Sequence, residues 1–216
     1  MLRFQLFRFP ILVHWMFWVN VALLGGAIDA NTPGRMQALL GWVAAAFVSI
    51  VIHELGHALA MRHFGDRQVG ILLYGFGGVA RGSRWHSRME DLLISAAGPA
   101  LQIAAGYAVK WLLADWSTSN ILLGSFLGGF VTVSIFWALF NLLPILPLDG
   151  GHISKAILGP RRLRTALVVS LVCAVGMALL FLQSGSLITP LFFGMMAWNN
   201  WKELQGEPQV PWMMGR

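Results

Sequence analysis

The stretch that decides the fold is Val51-Ile52-His53-Glu54-Leu55-Gly56-His57-Ala58, near the end of an apolar run from about Met36 to Met61. A run of this length fits a membrane-spanning helix, which needs about 17–25 mostly apolar residues. His53 and His57 are four residues apart, so both imidazoles of such a helix can reach one metal ion. Glu54 beside them can accept a proton from water activated at that metal.

The composition indicates that the bilayer is the solvent of this chain. Of its 216 residues 57% are hydrophobic and only 11% are charged, whereas soluble domains carry about 25% charged residues. The His-Glu-x-x-His pattern also arises by chance on surface helices of soluble proteins. Ionisable side chains at membrane depth are costly unless they are paired or liganded, so the apolar setting favours a functional site here.

Six apolar segments predict the membrane topology. The third contains Gly98-Pro99, which predicts a kink, and Gly185 with its flanking serines predicts a turn before the last, shorter segment. The fold class we expect is an all-α polytopic membrane protein with about six transmembrane helices. We expect one membrane-embedded domain over residues 1–216, with a core at about 10–160 and extra helices at about 165–201. The segments are 11–28, 36–61, 92–113, 121–143, 166–182 and 187–201.

The basic residues predict the orientation of these segments. With the N-terminus in the cytoplasm, only Arg35 and Lys110 of the 15 lysines and arginines fall on the far side. This asymmetry follows the positive-inside rule and predicts a multi-pass cell-membrane protein with both termini cytoplasmic. A cleaved signal peptide at the N-terminus is a weaker alternative, because the first apolar stretch is longer than a usual signal core. The net charge of +6 does not predict nucleic-acid binding, since the basic residues lie between apolar spans rather than on one soluble face.

A third metal ligand is expected from the segment after the fourth span. There Pro144 and Pro147 break the helix, and Asp149 follows, succeeded by two glycines. By the predicted topology this segment emerges on the same side as His53 and His57, which favours Asp149 as the ligand. Two alternatives stay open: Asp149 caps the helix that follows, or His152 supplies the ligand instead.

Several motifs together resemble the site-2 protease family of intramembrane metalloproteases. The resemblance covers roughly residues 10–160, and it departs from the family pattern at Gln102, where many members have Asn. It implies one Zn²⁺ per chain on His53, His57 and Asp149, and hydrolysis of peptide bonds in or near transmembrane segments of membrane protein substrates. The matching motifs are His53-Glu54-Leu55-Gly56-His57, Asn141-Leu-Leu-Pro144 leading into Pro147-Leu148-Asp149-Gly150-Gly151, Phe76-Gly77-Gly78-Val79-Ala80, Ala97-Gly98-Pro99 and Val13-His14-Trp15.

The chemistry expected from these residues is that of a metal-activated water with Glu54 as general base, which later passes its proton to the leaving amine. Asn141 could donate a hydrogen bond to the oxyanion, and the alternative is a hydrogen bond between helices. His14 could face the site or satisfy a backbone carbonyl.

Residues 69–80 alternate apolar residues with glycines and predict a short membrane-associated β-hairpin between helices 2 and 3. An extended substrate could pair with its edge, although a plain connecting loop with apolar anchors would read the same way. Two rival functions remain, a non-catalytic membrane protein and a metal transporter. The intact Glu54 argues against the first, and the single cluster of ligands argues against the second. The sequence carries no signal for an oligomeric state.

Overall fold

The computed structural model describes residues 1–75, 77–183 and 188–207. Phe76, the turn expected around Gly185, and the tail that ends at Arg216 lie outside these ranges. The strands are β1 (Leu2–Leu6), β2 (Phe9–Val13), β3 (Gly70–Tyr74) and β4 (Gly77–Arg81). The helices are α1 (Trp15–Leu24), α2 (Pro33–His63), α3 (Arg88–Leu112), α4 (Ile121–Thr132), a π-helix (Val133–Trp137), α5 (Ala138–Asn141), α6 (Asp149–Leu158), α7 (Leu163–Leu182) and α8 (Ile188–Leu204).

The chain divides into two compact units. Among the described residues, one contains residues 1–85 and 97–140, and the other contains residues 86–96, 141–183 and 188–207. Four helical segments among the described residues are long and apolar enough to cross a membrane, namely Pro33–His63, Arg88–Leu112, Ile121–Asn141 and Pro160–Leu182. The structure is therefore mostly helical, as the sequence predicts for a membrane protein, and the count of six spans stays a prediction.

In the first unit, α2 is the central helix. Thr32 caps its start, where the hydroxyl accepts a hydrogen bond from the Arg35 N–H at 3.3 Å. Small residues let α4 approach it closely: a Cβ on Gly41 would lie 2.4 Å from the Leu122 carbonyl oxygen. The Ser125 hydroxyl donates to the Ala38 carbonyl at 2.6 Å. Contacts of this kind hold helices together in lipid, where hydrophobic burial between helices gives little driving force.

The first unit also contains a four-stranded sheet in the order β1-β2-β3-β4. The sequence predicts only a short hairpin in an otherwise all-α membrane protein, so the sheet is larger than that prediction. The N-terminal hairpin β1–β2 is antiparallel, and β2 pairs in parallel with β3, with Ile11 opposite Ile71. The tight turn between β1 and β2 places Phe7 and Arg8 in the left-handed region, at φ 48° and 69°. Two-residue turns with positive φ usually contain Asn or Gly. Phe7 and Arg8 are neither, so the sequence carried no signal for this hairpin.

The first expected span, Ile11 to Ile28, does not form one helix. Its beginning belongs to β2, and α1 has only 10 residues, about 15 Å at 1.5 Å per residue. Both β2 and α1 contact α2: the Arg62 guanidinium lies 3.6 Å from the centre of the Phe9 ring, and the Phe17 ring lies 6.2 Å from the Phe47 ring. A strand and a short helix thus replace the single helix that an apolar run suggested.

The second unit is built around α6, α7 and α8. Leu146, in the loop that leads to α6, is held at both of its backbone groups. Its N–H donates to the Ser170 hydroxyl on α7 at 2.7 Å, and its carbonyl accepts from the Asn200 amide on α8 at 2.8 Å. At the other end of α6, the Arg88 guanidinium donates to the carbonyls of Ala156 and Ile157. Both ends of α6 are therefore fixed.

Candidate metal centre

The two histidines of α2 face one another. Their Nε2 atoms are 3.0 Å apart, and their rings meet nearly edge to face with centroids 4.7 Å apart. Both side chains are buried. Two imidazoles whose Nε2 atoms converge in this way are arranged to bind one metal ion between them, as the helical spacing predicts.

The helix that carries them is packed tightly against α3 through two glycines. A Cβ on Gly56 would lie 2.5 Å from the Ala97 carbonyl oxygen, and a Cβ on Gly98 would lie 2.2 Å from His57 Nε2. Real Cβ atoms do not approach other atoms so closely. Gly98, the glycine of the Ala97-Gly98-Pro99 motif, therefore leaves the space that the His57 imidazole occupies.

Glu54 is buried next to the two histidines and faces the last strand of the sheet. A Cβ on Gly78 of β4 would lie 2.5 Å from Glu54 Cγ and 2.7 Å from its carboxyl carbon and Oε1. The backbone of β4 and the candidate general base are thus in direct contact. Because Gly78 has no side chain, the carboxylate keeps its position and the strand can approach other backbone closely.

Asp149 is the first residue of α6 and is 7% exposed. The two glycines after it are needed by the packing of the preceding loop. A Cβ on Gly150 would lie 2.1 Å from the Leu142 carbonyl oxygen, and a Cβ on Gly151 would lie 2.5 Å from the Leu146 nitrogen. The Asp-Gly-Gly sequence therefore folds the start of α6 onto the loop that is anchored at Leu146.

His53, His57 and Asp149 form a group that could hold a metal ion. One ligand atom of each residue lies within 4.8 Å of the corresponding atoms of the other two. Two imidazole nitrogens and a carboxylate oxygen are a donor set that catalytic zinc takes, with a fourth position for water. Asp149 is the third member of this group, whereas His152 lies one helical turn further along α6.

Two other predicted residues are placed differently. Asn141 is the last residue of α5 and is half-buried, and its contribution to catalysis stays a prediction. His14 is the N-cap of α1, where its Nδ1 accepts a hydrogen bond from the Met16 N–H at 3.3 Å. His14 thus satisfies a backbone group, although that group is an N–H rather than the carbonyl that the sequence suggested.

Sequence reasoning missed the hydrogen-bond partner of His53. The His53 Nδ1 lies 2.8 Å from Gln102 Oε1, and Gln102 in turn bonds Ser49. A signal for this was present in the sequence. Ser49, His53 and His57 are spaced four residues apart on one helix, so they share a face, and Gln102 is a polar residue inside the third apolar segment.

The hairpin that brings Gly78 to Glu54 is closed at its base by Asp66. Its carboxylate is buried and accepts hydrogen bonds from the backbone N–H groups of Gln68, Ser83 and Arg84 and from the Ser83 hydroxyl. Burial by itself raises the pKa of Asp66, but the four hydrogen bonds outweigh it and hold the pKa below its usual value. The ionised carboxylate therefore ties the two ends of the segment together.

The chain is similar to a peptidase family, to a curated relative and to a solved structure. A model of peptidase family M50 matches residues 113–183, which include Asp149. Rip3 of Mycobacterium tuberculosis is 30% identical over 213 residues, an alignment that covers 88% of this chain and 54% of Rip3. The solved site-2 protease from Methanocaldococcus jannaschii has a TM-score of 0.65 and 26% identity, with 94% of each chain covered. The chain belongs to the site-2 protease family, peptidase family M50. The resemblance seen in the sequence is thereby confirmed.

Two further relatives of this M50 chain are a zinc metalloprotease and a protein named for sporulation. The zinc metalloprotease MJ0392 of Methanocaldococcus jannaschii is 30% identical over 158 residues, 73% of this chain and 45% of that protein. Stage IV sporulation protein FB of Bacillus subtilis is 36% identical over 144 residues, 65% of this chain and 45% of that protein. The chain spans about half the length of the curated relatives it matches. The similarity to these relatives therefore extends only over the region that the alignments cover.

Proposed function

We propose that this protein is a zinc metalloprotease that hydrolyses peptide bonds in or near transmembrane segments of other membrane proteins. The observation that carries the proposal is the buried group of His53, His57 and Asp149, whose ligand atoms lie within 4.8 Å of one another. Membership of a peptidase family and the four membrane-length helices support it. The core of the protease would be residues 10–160, as the sequence predicts.

The proposed zinc ligands are His53, His57 and Asp149. A zinc ion on three protein ligands supplies Lewis-acid activation of water and of a substrate carbonyl. The histidines would bind through the Nε2 atoms that face each other 3.0 Å apart. Two imidazole nitrogens and a carboxylate oxygen grouped within 4.8 Å of one another are the ligand atoms that would hold the ion.

Glu54 is the proposed general base. Its carboxylate is buried next to the two histidines and is in contact with the β4 backbone, so it can accept a proton from the attacking water and return it to the leaving amine. Asn141 is the proposed hydrogen-bond donor to the oxyanion, a role that amide donors fill in other hydrolases.

The substrate would bind in an extended form along β4. Within the described part of the chain this strand is at one edge of the four-stranded sheet, the position at which a further strand can be added. A peptide added there would pass beside Glu54, because Gly78 of β4 contacts that carboxylate. A helical substrate hides its peptide bonds in its own hydrogen bonds, and pairing with an edge strand would compensate for the loss of those bonds.

The proposed location is the cell membrane, with several crossings and both termini in the cytoplasm. The charge asymmetry of the sequence supports this orientation. The turn between β1 and β2 supports it too, because the Phe7 carbonyl accepts a hydrogen bond from Arg62 at the C-terminal end of α2. Arg8, next to Phe7 in this turn, thus lies at the same end of α2 as the basic residues that follow this helix.

The test combines metal analysis with proteolysis. Purified protein in detergent or liposomes is assayed against a panel of fluorogenic peptides derived from transmembrane segments, alongside Glu54→Gln and after chelation of the metal. We expect one zinc per chain in both forms, and cleavage by the wild type alone that stops on chelation. Equal cleavage by Glu54→Gln would contradict the proposal. A wild type that binds zinc but cleaves no member of the panel would favour the non-catalytic alternative.

A further inference from the structure

A chain of buried polar side chains leads away from His53. Gln102 Oε1 lies 2.8 Å from His53 Nδ1, Gln102 Nε2 lies 2.9 Å from Ser49 Oγ, and Ser49 Oγ lies 2.8 Å from Ser134 Oγ. Gln102, Ser49 and Ser134 are each 0% exposed. Polar side chains at this depth in an apolar bundle are costly unless they serve each other or a site.

The proton positions along this chain are linked. His53 faces His57 through Nε2, and a neutral imidazole whose Nε2 lone pair is available for a metal carries its hydrogen on Nδ1. That hydrogen requires an acceptor, which is the Gln102 carbonyl oxygen. The Gln102 amide then donates to the Ser49 hydroxyl, which shares a hydrogen bond with the Ser134 hydroxyl.

We propose that Gln102 is a positioning residue, held by Ser49 and Ser134, which accepts the Nδ1 hydrogen of His53 and so keeps the Nε2 of His53 available for zinc. This inference rests on the proposed function, because it deepens the account of the same site. Partners of this kind fix the tautomer and the ring orientation of a histidine ligand, and their loss typically costs about 10–100-fold in metal affinity.

The helices place these hydrogen-bonded side chains next to one another. Ser49 lies one turn before His53 on α2, and Gln102 lies one turn after Gly98 on α3. Ser134 belongs to the π-helix that interrupts the fourth apolar segment, and π-helical turns are rare and concentrate at functional sites. A Cβ on Gly106 of α3 would lie 2.7 Å from the Ser134 Cβ, so this glycine allows the approach that completes the chain.

A simpler role for the same residues is to hold α2, α3 and the π-helix together. Hydrogen bonds between membrane helices contribute only modestly to the stability of a helix bundle. Such a role requires neither a particular orientation of the Gln102 amide nor a particular tautomer of His53. The tautomer is therefore the measurement that separates positioning of the ligand from packing of the helices.

The experiment compares Gln102→Met, which keeps the length of the side chain but cannot accept a strong hydrogen bond, with Gln102→Glu, which can. Gln37→Met makes the same change at an exposed position of α2 and is the matched control. Zinc affinity is measured by chelator competition. The tautomer of His53 is read from imidazole ¹⁵N shifts of the metal-free protein at neutral pH, with the signals assigned by their absence in His53→Ala.

We expect Gln102→Met to weaken zinc binding about 10–100-fold and to shift His53 away from the Nδ1–H tautomer. Gln102→Glu is expected to retain both the affinity and the tautomer, and Gln37→Met to change neither. Wild-type affinity and tautomer in Gln102→Met would overturn the proposal. An equal loss in Gln102→Glu would overturn it too.

Failure of Gln102→Met to fold and absence of zinc from the wild type each call for a second measurement. If Gln102→Met does not fold, Ser49→Ala decides the matter: removal of the hydroxyl lets the amide rotate, so a mixed His53 tautomer is expected and an unchanged one overturns the proposal. If the wild type takes up no zinc, the proposed function fails. The tautomer of the metal-free wild type and of Gln102→Glu then decides this inference alone.

Discussion

Gly98→Ala is expected to destroy the metal site through a single methyl group. The added Cβ would lie 2.2 Å from His57 Nε2 and 2.3 Å from its Cε1. Since non-bonded heavy atoms in contact are about 3.5 Å apart, the imidazole must move by about 1.3 Å from its position at 2.2 Å. His57 is 1% exposed, so the ring can move only by displacing the side chains packed around it. Ligand distances tolerate only about 0.2 Å.

The expected result is a loss of zinc affinity of about 100-fold, which corresponds to about 2.7 kcal/mol. Overpacking adds a cost of about 1–3 kcal/mol in the stability of the fold. Gly128→Ala on α4 is the matched control, because a Cβ there meets nothing within 4 Å. Zinc affinity by chelator competition and thermal unfolding are compared in both variants. Gly98→Ala with wild-type zinc affinity would refute the reasoning, since it would mean that His57 has room to move without leaving the metal.

Three further changes test other parts of the account. Gly78→Ala should lower kcat about 10–100-fold by displacing the Glu54 carboxylate, with the zinc content unchanged. Gly77→Ala is the control and should stay active, because a Cβ there would have no atom within 4 Å. Equal activity of the two variants would contradict this. Asn200→Leu should cost about 1–3 kcal/mol of stability, because the buried Leu146 carbonyl loses its donor, and should weaken zinc binding more than Asn199→Leu does. Because the pKa of Asp66 is lowered in the fold, its contribution to stability is present above the unfolded-state value of about 3.9 and is lost as the pH falls through the folded-state value. Asp66→Asn should therefore melt at a lower temperature than the wild type at pH 7, and the gap should narrow as the pH falls through the lowered folded-state pKa of Asp66. A gap that is independent of pH would contradict this.

The part of the site that could be predicted from sequence is local in the chain or marked by strong signals. His53 and His57 share a helical face because of their spacing, and the apolar run around them defines α2 from about Met36. Asp149 follows two helix-breaking prolines in a segment that is otherwise apolar, which distinguished it from carboxylates at span ends. Both predictions rely on periodicity and on the cost of a buried charge, which single sequences report well.

The parts that could not be predicted depend on contacts between distant residues. The pairing of β2 with β3 joins Ile11 to Ile71, which are separated in sequence by two helices, α1 and α2. The apolar side chains of residues 11–28 are compatible with a strand as well as with a helix. The turn at Phe7 and Arg8 lacks the usual turn residues. The bond between His53 and Gln102 joins residues 49 positions apart, and the sequence offered only the polarity of Gln102 as a hint.

Anomalous diffraction at the zinc absorption edge, from crystals of the zinc-loaded protein, tests the metal site most directly. The account predicts one anomalous peak per chain, at about 2.0–2.2 Å from the Nε2 atoms of His53 and His57 and from a carboxylate oxygen of Asp149. A peak that both imidazoles bind while the Asp149 carboxylate stays beyond ~4 Å, twice the length of a ligand bond, would contradict it. A zinc ion bound elsewhere in the chain would contradict it as well.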